Sequence, residues 1–318
     1  MYLNTDQLVA SVKRRTLMPV SEQTYQDSDI IEFLNEEFLI KLVPDIMTIR
    51  EDFFLRTLER DIEGGKTSYT LPERTIGNTL KDLIFIDSGN NRFPIARINL
   101  NDIPLNNFTS LYPSNFLIKG DQIILAPSPL GSTLGKLEMW YYERPSQLVP
   151  VSQCGQITNV ATNTPISGQN TYTVNADVSS YAQLDFVSGR SPFQDWFINV
   201  VPISATANEV VVTASDVDDT HADRVPEIGD WICNEQTAPI PMIPEETHPL
   251  LAEMAAGRIV QGLGHQDKLE AINQNIALMR QNMLNMIANR IEQKLERIIN
   301  RYSLSSSAGY GWAIAWNR

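Results

Sequence analysis

Apolar residues recur every three or four positions near both ends of this chain and every second position through much of its middle. That change of period divides the molecule. Ile30, Phe33, Leu34, Ile40 and Val43 predict an amphipathic helix starting near Ser28, with Asp29 and Glu32 at the spacing of a capping box. Pro44 lacks an N–H and its ring crowds the preceding turn, so a break is expected there. A second helical stretch carries Ile46, Ile49, Phe53, Phe54 and Leu58, and Gly64-Gly65 closes it.

Past Gly65 the alternation predicts strands at Ser68–Leu71, Asp82–Ile86 and Phe116–Leu125, the last a hairpin turning at Lys119-Gly120-Asp121. In Lys136–Tyr142, Leu137, Met139 and Tyr141 alternate with Glu138, Trp140 and Tyr142. Pro145 and Pro150 mark a boundary. Beyond it, short strands are expected at Gln156–Val160, Tyr172–Asn175, Trp196–Val201, Glu209–Thr213 and Asp230–Cys233, with the polar turns of a small sandwich or barrel. The proline-rich Thr237–Pro249 reads as a stiff connector. Helix resumes with Thr247 as N-cap, Pro249 in the first turn, Leu250, Leu251, Met254 and Ile259 on one face, and Gly264 as a left-handed cap. Leu269, Ile272, Ile276, Met279, Met283 and Met286 then share one helix stripe, which Ile291, Leu295 and Ile298 extend. Such a stripe fills either its own core or a neighbouring subunit's.

The fold class expected is α+β, with terminal helices forming an α-helical bundle around a long β-rich insertion of one or two small β domains. The corresponding ranges are 1–64 (N-terminal helices), 65–150 (first β region), 151–240 (second β domain), 241–302 (C-terminal helices) and 303–318 (an extended docking tail).

Charge sharpens this picture. The formal net charge is −13, which opposes gripping nucleic acid through the bulk surface. From Arg280 onward, however, six basic residues face only Glu292 and Glu296, a local balance of +4 that leaves −17 on residues 1–279. An acidic body with a basic end points to an acidic partner for that end. The N-terminal residues lack the apolar run of a signal peptide, and no apolar stretch is long enough to span a bilayer. Cys154 and Cys233 match no metal spacing and read as free thiols.

Catalytic constellations are not evident. His221, His248 and His265 have no second histidine at ligand spacing, and no phosphate-binding loop or nucleophile elbow occurs. The cluster Asp216, Asp218, Asp219 and Asp223 lacks the glycine and distal glutamate of an EF-hand and reads as a solvated loop. The expectation is a non-enzymatic protein with no cofactor or metal. In the tail, Tyr310, Trp312, Ile314 and Trp316 alternate with small residues after a Ser/Gly stretch, the pattern of an extended segment offered to a partner. With Arg290, Lys294, Arg297, Arg301 and Arg318 they form the candidate docking site.

Five segments resemble the head-to-tail connector, or neck adaptor, proteins of tailed bacteriophages: Asp29–Leu55, Tyr69–Asp87, the hairpin Phe116–Pro129, Tyr141–Val149 and Pro239–Gly264. The resemblance covers roughly half the chain and omits 151–240. It implies a structural virion protein made in the host bacterial cytoplasm. Such a protein forms a ring, typically of twelve copies, beneath the portal protein at the neck. The ring extends the DNA channel and offers a platform to downstream tail or nozzle proteins, with its C-terminal segment on the portal. An acidic lumen would let DNA slide without sticking. The rival readings are another virion tail or fibre-attachment protein in three or six copies, and a carbohydrate- or surface-binding module using Trp196 and Trp231.

Overall fold

The computed structural model describes residues 3–16, 25–99, 109–130, 135–162, 166–217 and 225–288. The chain is α+β. Helix α1 spans Thr5–Thr16 and α2 spans Asp27–Glu36. α2 begins earlier than the spacing predicts. Asp29 is the third helical residue, and its carboxylate accepts from the Gln26 backbone N–H at 2.9 Å, so the capping pair is Gln26–Asp29 and not Asp29–Glu32.

Pro44 does not break the helical path. A π-helical segment, Glu37–Leu42, links α2 to α3 (Val43–Ile49), and the Val43 N–H reaches back five residues to the Phe38 carbonyl. The wider turn places Pro44 at the start of α3, where a missing N–H costs little. It also serves the core. Ile30, Leu34, Phe38, Leu42 and Ile46 are all fully buried, in steps of four that would drift around a 3.6-residue helix. Ile40 falls off that row and is 69% exposed, against the predicted apolar face.

After a short 3-10 turn, Leu55–Asp61 forms strand β1 instead of helix. Its Leu58 lies opposite Met139, so pairing overrides the helical spacing of Phe54 and Leu58. The strands that follow are β2 (Ser68–Thr70), β3 (Thr75–Asp87), β4 (Arg92–Arg97), β5 (Thr109–Ser110), β6 (Asn115–Lys119), β7 (Gln122–Ala126), β8 (Ser128–Pro129) and β9 (Gly135–Glu143). Six of them join β1 in a seven-stranded sheet of order β1-β9-β3-β4-β6-β7-β2. The β6–β7 hairpin turns at Gly120, whose φ of +66° suits a residue without Cβ. Leu137, Met139 and Tyr141 face its core together with Leu83, Phe85, Ile123 and Leu125.

A second seven-stranded sheet is built from β11 (Gly155–Thr162), β12 (Gln169–Val174), β13 (Leu184–Val187), β14 (Asp195–Val200), β15 (Ser204–Ala205), β16 (Glu209–Thr213) and β17 (Trp231–Asn234). Its order is β14-β13-β17-β11-β12-β16-β15. Its core holds Tyr172, Phe186, Val210 and Ile232. Between the sheets in sequence, β10 (Gln147–Leu148) pairs in parallel with β18 (Thr237–Ala238).

The proline-rich stretch is packed, not a free connector. Ala238, Ile240, Met242 and Ile243 are buried. Prolines remove N–H groups but leave carbonyls, and the Pro239 carbonyl accepts both the backbone N–H (2.8 Å) and the hydroxyl (3.0 Å) of Thr5. Helix α4 runs His248–Gly262 and α5 runs Gln266–Ile287. Thr247 precedes α4 without capping it, because its hydroxyl turns back to the Pro244 carbonyl at 2.7 Å. Gly264 takes the left-handed cap at φ +75°.

Helices from both ends of the chain share one apolar core, with Leu8 and Val12 of α1 against Leu251, Ala255 and Ile259 of α4 and Met283 of α5. Ion pairs cross it: Arg15–Glu253 at 2.6 Å and Arg258–Glu37 at 2.6 Å. Asn35 ties these helices to the β region by donating to the Leu148 carbonyl (2.9 Å) and accepting from its N–H (2.7 Å). Among the described residues no helix is long and apolar enough to cross a membrane.

Candidate functional site

The densest buried chemistry lies where the edges of the two sheets meet. Arg74, on the turn before β3, is almost wholly buried. Its guanidinium donates to Asp195 Oδ2 at 2.6 Å, to Ser146 Oγ at 3.1 Å and to Asp185 Oδ2. Asp185 sits on β13 and Asp195 opens β14, so one side chain from the first β region clasps two strands of the second. Asp185 is further held by the backbone N–H groups of Asn199 (2.9 Å) and Gln236 (2.6 Å). Beside it, Arg56 of β1 pairs with Glu143 of β9 at 2.7 Å and donates to the Asp195 carbonyl oxygen.

Two guanidinium groups thus face three carboxyl groups in a dry place, one cation short of balance. Burial works against the charge on Arg74, but Asp195 and Asp185 outweigh it, and its pKa is raised. Arg56 is likewise raised, burial being outweighed by Glu143. The surplus falls on the acids. Burial first, with Asp185 and Glu143 adding repulsion against the pull of Arg74, pushes Asp195 up to about 8. Burial also raises Asp185. Asp195 Oδ1 is buried with no hydrogen-bond partner among the described residues, so it has room for that proton.

A folded Asp195 that holds its proton up to about 8, against an ordinary carboxyl value of 3.8, binds a proton that the unfolded chain has released. Its contribution to stability is therefore greatest at acid pH and is lost as pH rises through that window. Asp195→Asn should flatten this slope in urea denaturation measured from pH 5 to 8. An unchanged slope would place the titration elsewhere.

A cleft of about 570 Å³ opens beside the network, lined by consecutive residues of β1 and of β14 together with Trp140 and Asp216. A second groove, of about 500 Å³, lies between the π segment, α4 and α5. Its cations are already matched, Lys41 and Arg258 by Glu37 and Arg280 by Asp45.

The docking residues read from the sequence, Arg290, Lys294, Arg297, Arg301, Tyr310, Trp312, Ile314, Trp316 and Arg318, all lie outside the described residues. So do Asp218, Asp219, His221 and Asp223, as well as the stripe continuation Ile291, Leu295 and Ile298. His248 is a packed core residue. It accepts the Leu3 N–H at 3.1 Å, lies 5.7 Å from the Phe193 ring, and burial depresses its pKa to about 4. Cys154 and Cys233 are free and buried side by side in one apolar cluster, where burial raises the Cys233 thiol. Trp231 is buried in that same cluster and presents no stacking platform, whereas Trp196 is half-buried at the cleft. Among the described residues no group of His, Cys, Asp or Glu is placed to hold a metal ion.

Sequence reasoning missed the charge network because its members are scattered from Arg56 to Asp195. The available signal was Asp185 within the otherwise apolar Leu184–Val187, since a carboxylate there demands a buried partner. No protein-family model and no curated protein sequence matches the chain.

Proposed function

We propose that the chain is a structural head-to-tail adaptor of a tailed-phage virion. It would form a ring of twelve copies beneath the portal, extend the DNA channel and give downstream tail proteins their platform. The terminal helices act as one bundle from which the β layers project. The observation that carries this reading is helix α5. It is 22 residues long, yet only Met283 is fully buried. Ile276 and Met279 rest against the chain's own core, while Met286 and Leu278 are 55% and 59% exposed. The open side of α5 is mostly polar, but Leu278 and Met286 stand exposed on it, and a helix half-packed on its own fold can bury such side chains by packing against a neighbouring copy. The acidic body supports a lumen that repels DNA, and the basic, aromatic Arg290–Arg318 is suited to the portal contact.

Replacing Leu278 and Met286 together by glutamate tests this reading. Both side chains are exposed, so the monomer should keep its circular dichroism and melt within a few degrees of the parent. Its incorporation into virions should fall at least about tenfold, a loss of roughly 1.4 kcal/mol or more per contact set. Normal incorporation of a folded double variant would remove α5 from the assembly interface.

A further inference from the structure

The cleft beside the charge network has walls of an unusual kind. β1 stands at one end of the first sheet and β14 at one end of the second, so the cleft lies between two sheet edges. Arg56 holds those edges face to face through the Asp195 carbonyl. An edge strand presents backbone N–H and C=O groups without a neighbouring strand, and an added strand satisfies them.

Three further features describe what would enter. The side chains lining the cleft include four acids, Asp52, Glu143, Asp195 and Asp216, against Arg56 as the one base. The network behind it is one cation short, a deficit met by the proton on Asp195 while the slot is empty and one that an arriving cation would meet by displacing that proton. The oxygen concerned, Asp195 Oδ1, belongs to a residue only 2% exposed. Trp140 also lines the cleft, and its indole N–H is buried without an acceptor among the described residues. Two buried polar atoms left without partners are each costly. A peptide supplies both complements, a carbonyl for the indole and a cationic side chain for the carboxyl group. Trp140, Trp196 and Phe53 provide aromatic faces that favour a cation's stem.

We propose that this cleft is the docking slot for an extended basic segment of a partner protein. The segment's main chain continues the sheet at the β1 or β14 edge, and an Arg or Lys side chain supplies the cation that the Arg56–Glu143–Arg74–Asp185–Asp195 network lacks. The inference stands apart from the virion reading, because it needs only the two edges and their charge.

The test uses the full chain and synthetic peptides of about ten residues: one alternating lysine and valine, one alternating glutamate and valine, and one alternating lysine and proline. Binding is read by anisotropy of labelled peptide and located by hydrogen exchange. The Lys/Val peptide should bind and slow exchange in Leu55–Asp61 and Asp195–Val200. The Glu/Val peptide should not bind. The Lys/Pro peptide, which lacks every second main-chain N–H and whose prolines fix φ at about −65°, away from strand geometry, should bind at least about tenfold more weakly. Asp52→Lys combined with Asp216→Lys, both at exposed positions, should weaken the Lys/Val peptide by a similar factor. Equal binding of the Lys/Val and Lys/Pro peptides, protection elsewhere, or no binding would overturn the proposal. The same protection appearing on self-association without peptide would assign the slot to a second copy and overturn it as well.

Discussion

Arg74→Met should be among the most destabilising single changes in the chain, costing roughly 3–5 kcal/mol, the range for breaking a buried ion pair from one side. The reason is what remains behind. Asp185 and Asp195 are both essentially inaccessible, and Arg74 is the cation that contacts them both through its side chain. Without it Asp185 keeps two backbone donors, and Asp195 keeps only the Ser146 hydroxyl on its carboxyl group, at 2.8 Å. Methionine fills similar volume, so the loss reflects charge and not a cavity. A triple variant, Arg74→Met with Asp185→Asn and Asp195→Asn, should recover most of the loss, because it leaves no unpaired charge. Urea denaturation of the three proteins measures this. A cost below about 1 kcal/mol for Arg74→Met alone would mean that water reaches the network and screens it.

Phe38→Ala should cost a comparable amount, about 3–5 kcal/mol, for a different reason. Phe38 lies on the π segment at full burial, among the largest wholly enclosed side chains, within the core shared by α1, α2, α3, α4 and α5. Truncation leaves a ring-sized void in a layer whose backbone is pinned by Arg258–Glu37 and Arg15–Glu253, so collapse around it is limited. The apolar clusters of the two sheets are separate from this one. Hydrogen exchange should therefore accelerate first in Asp27–Ile49 and His248–Gly262, while β9 and β12 keep their protection. Uniform acceleration across all three clusters would mean that they unfold as a single unit.

Much of this architecture is legible in local pattern. The alternation of Leu137, Met139 and Tyr141, the Gly120 hairpin and the buried faces of α2 and α4 follow from short-range rules that tertiary packing reinforces. Reading failed where distant partners decided the outcome. Leu55–Asp61 carries helical spacing and charge but becomes a strand because β9 lies beside it. Pro44 is a helix breaker only if the turn stays α, and the π segment changes that premise. The prolines of Thr237–Pro249 read as a stiff connector, yet Ile240 and Ile243 between them are buried and Thr237–Ala238 pairs as a short strand. The charge network is the extreme case: Arg74 and Asp195 are 121 positions apart, and no periodicity links them. Isolated charged residues in apolar runs, such as Asp185, are the one local trace that such a network leaves.

The central claim concerns assembly, and the copy number of this chain in its native particle tests it most directly. Cryo-EM of purified virions, with symmetry determined at the neck, should find twelve copies stacked on the portal, with the open side of α5, including Leu278 and Met286, against the adjacent copy. Three or six copies, or a chain bound to no virion at all, would contradict the account.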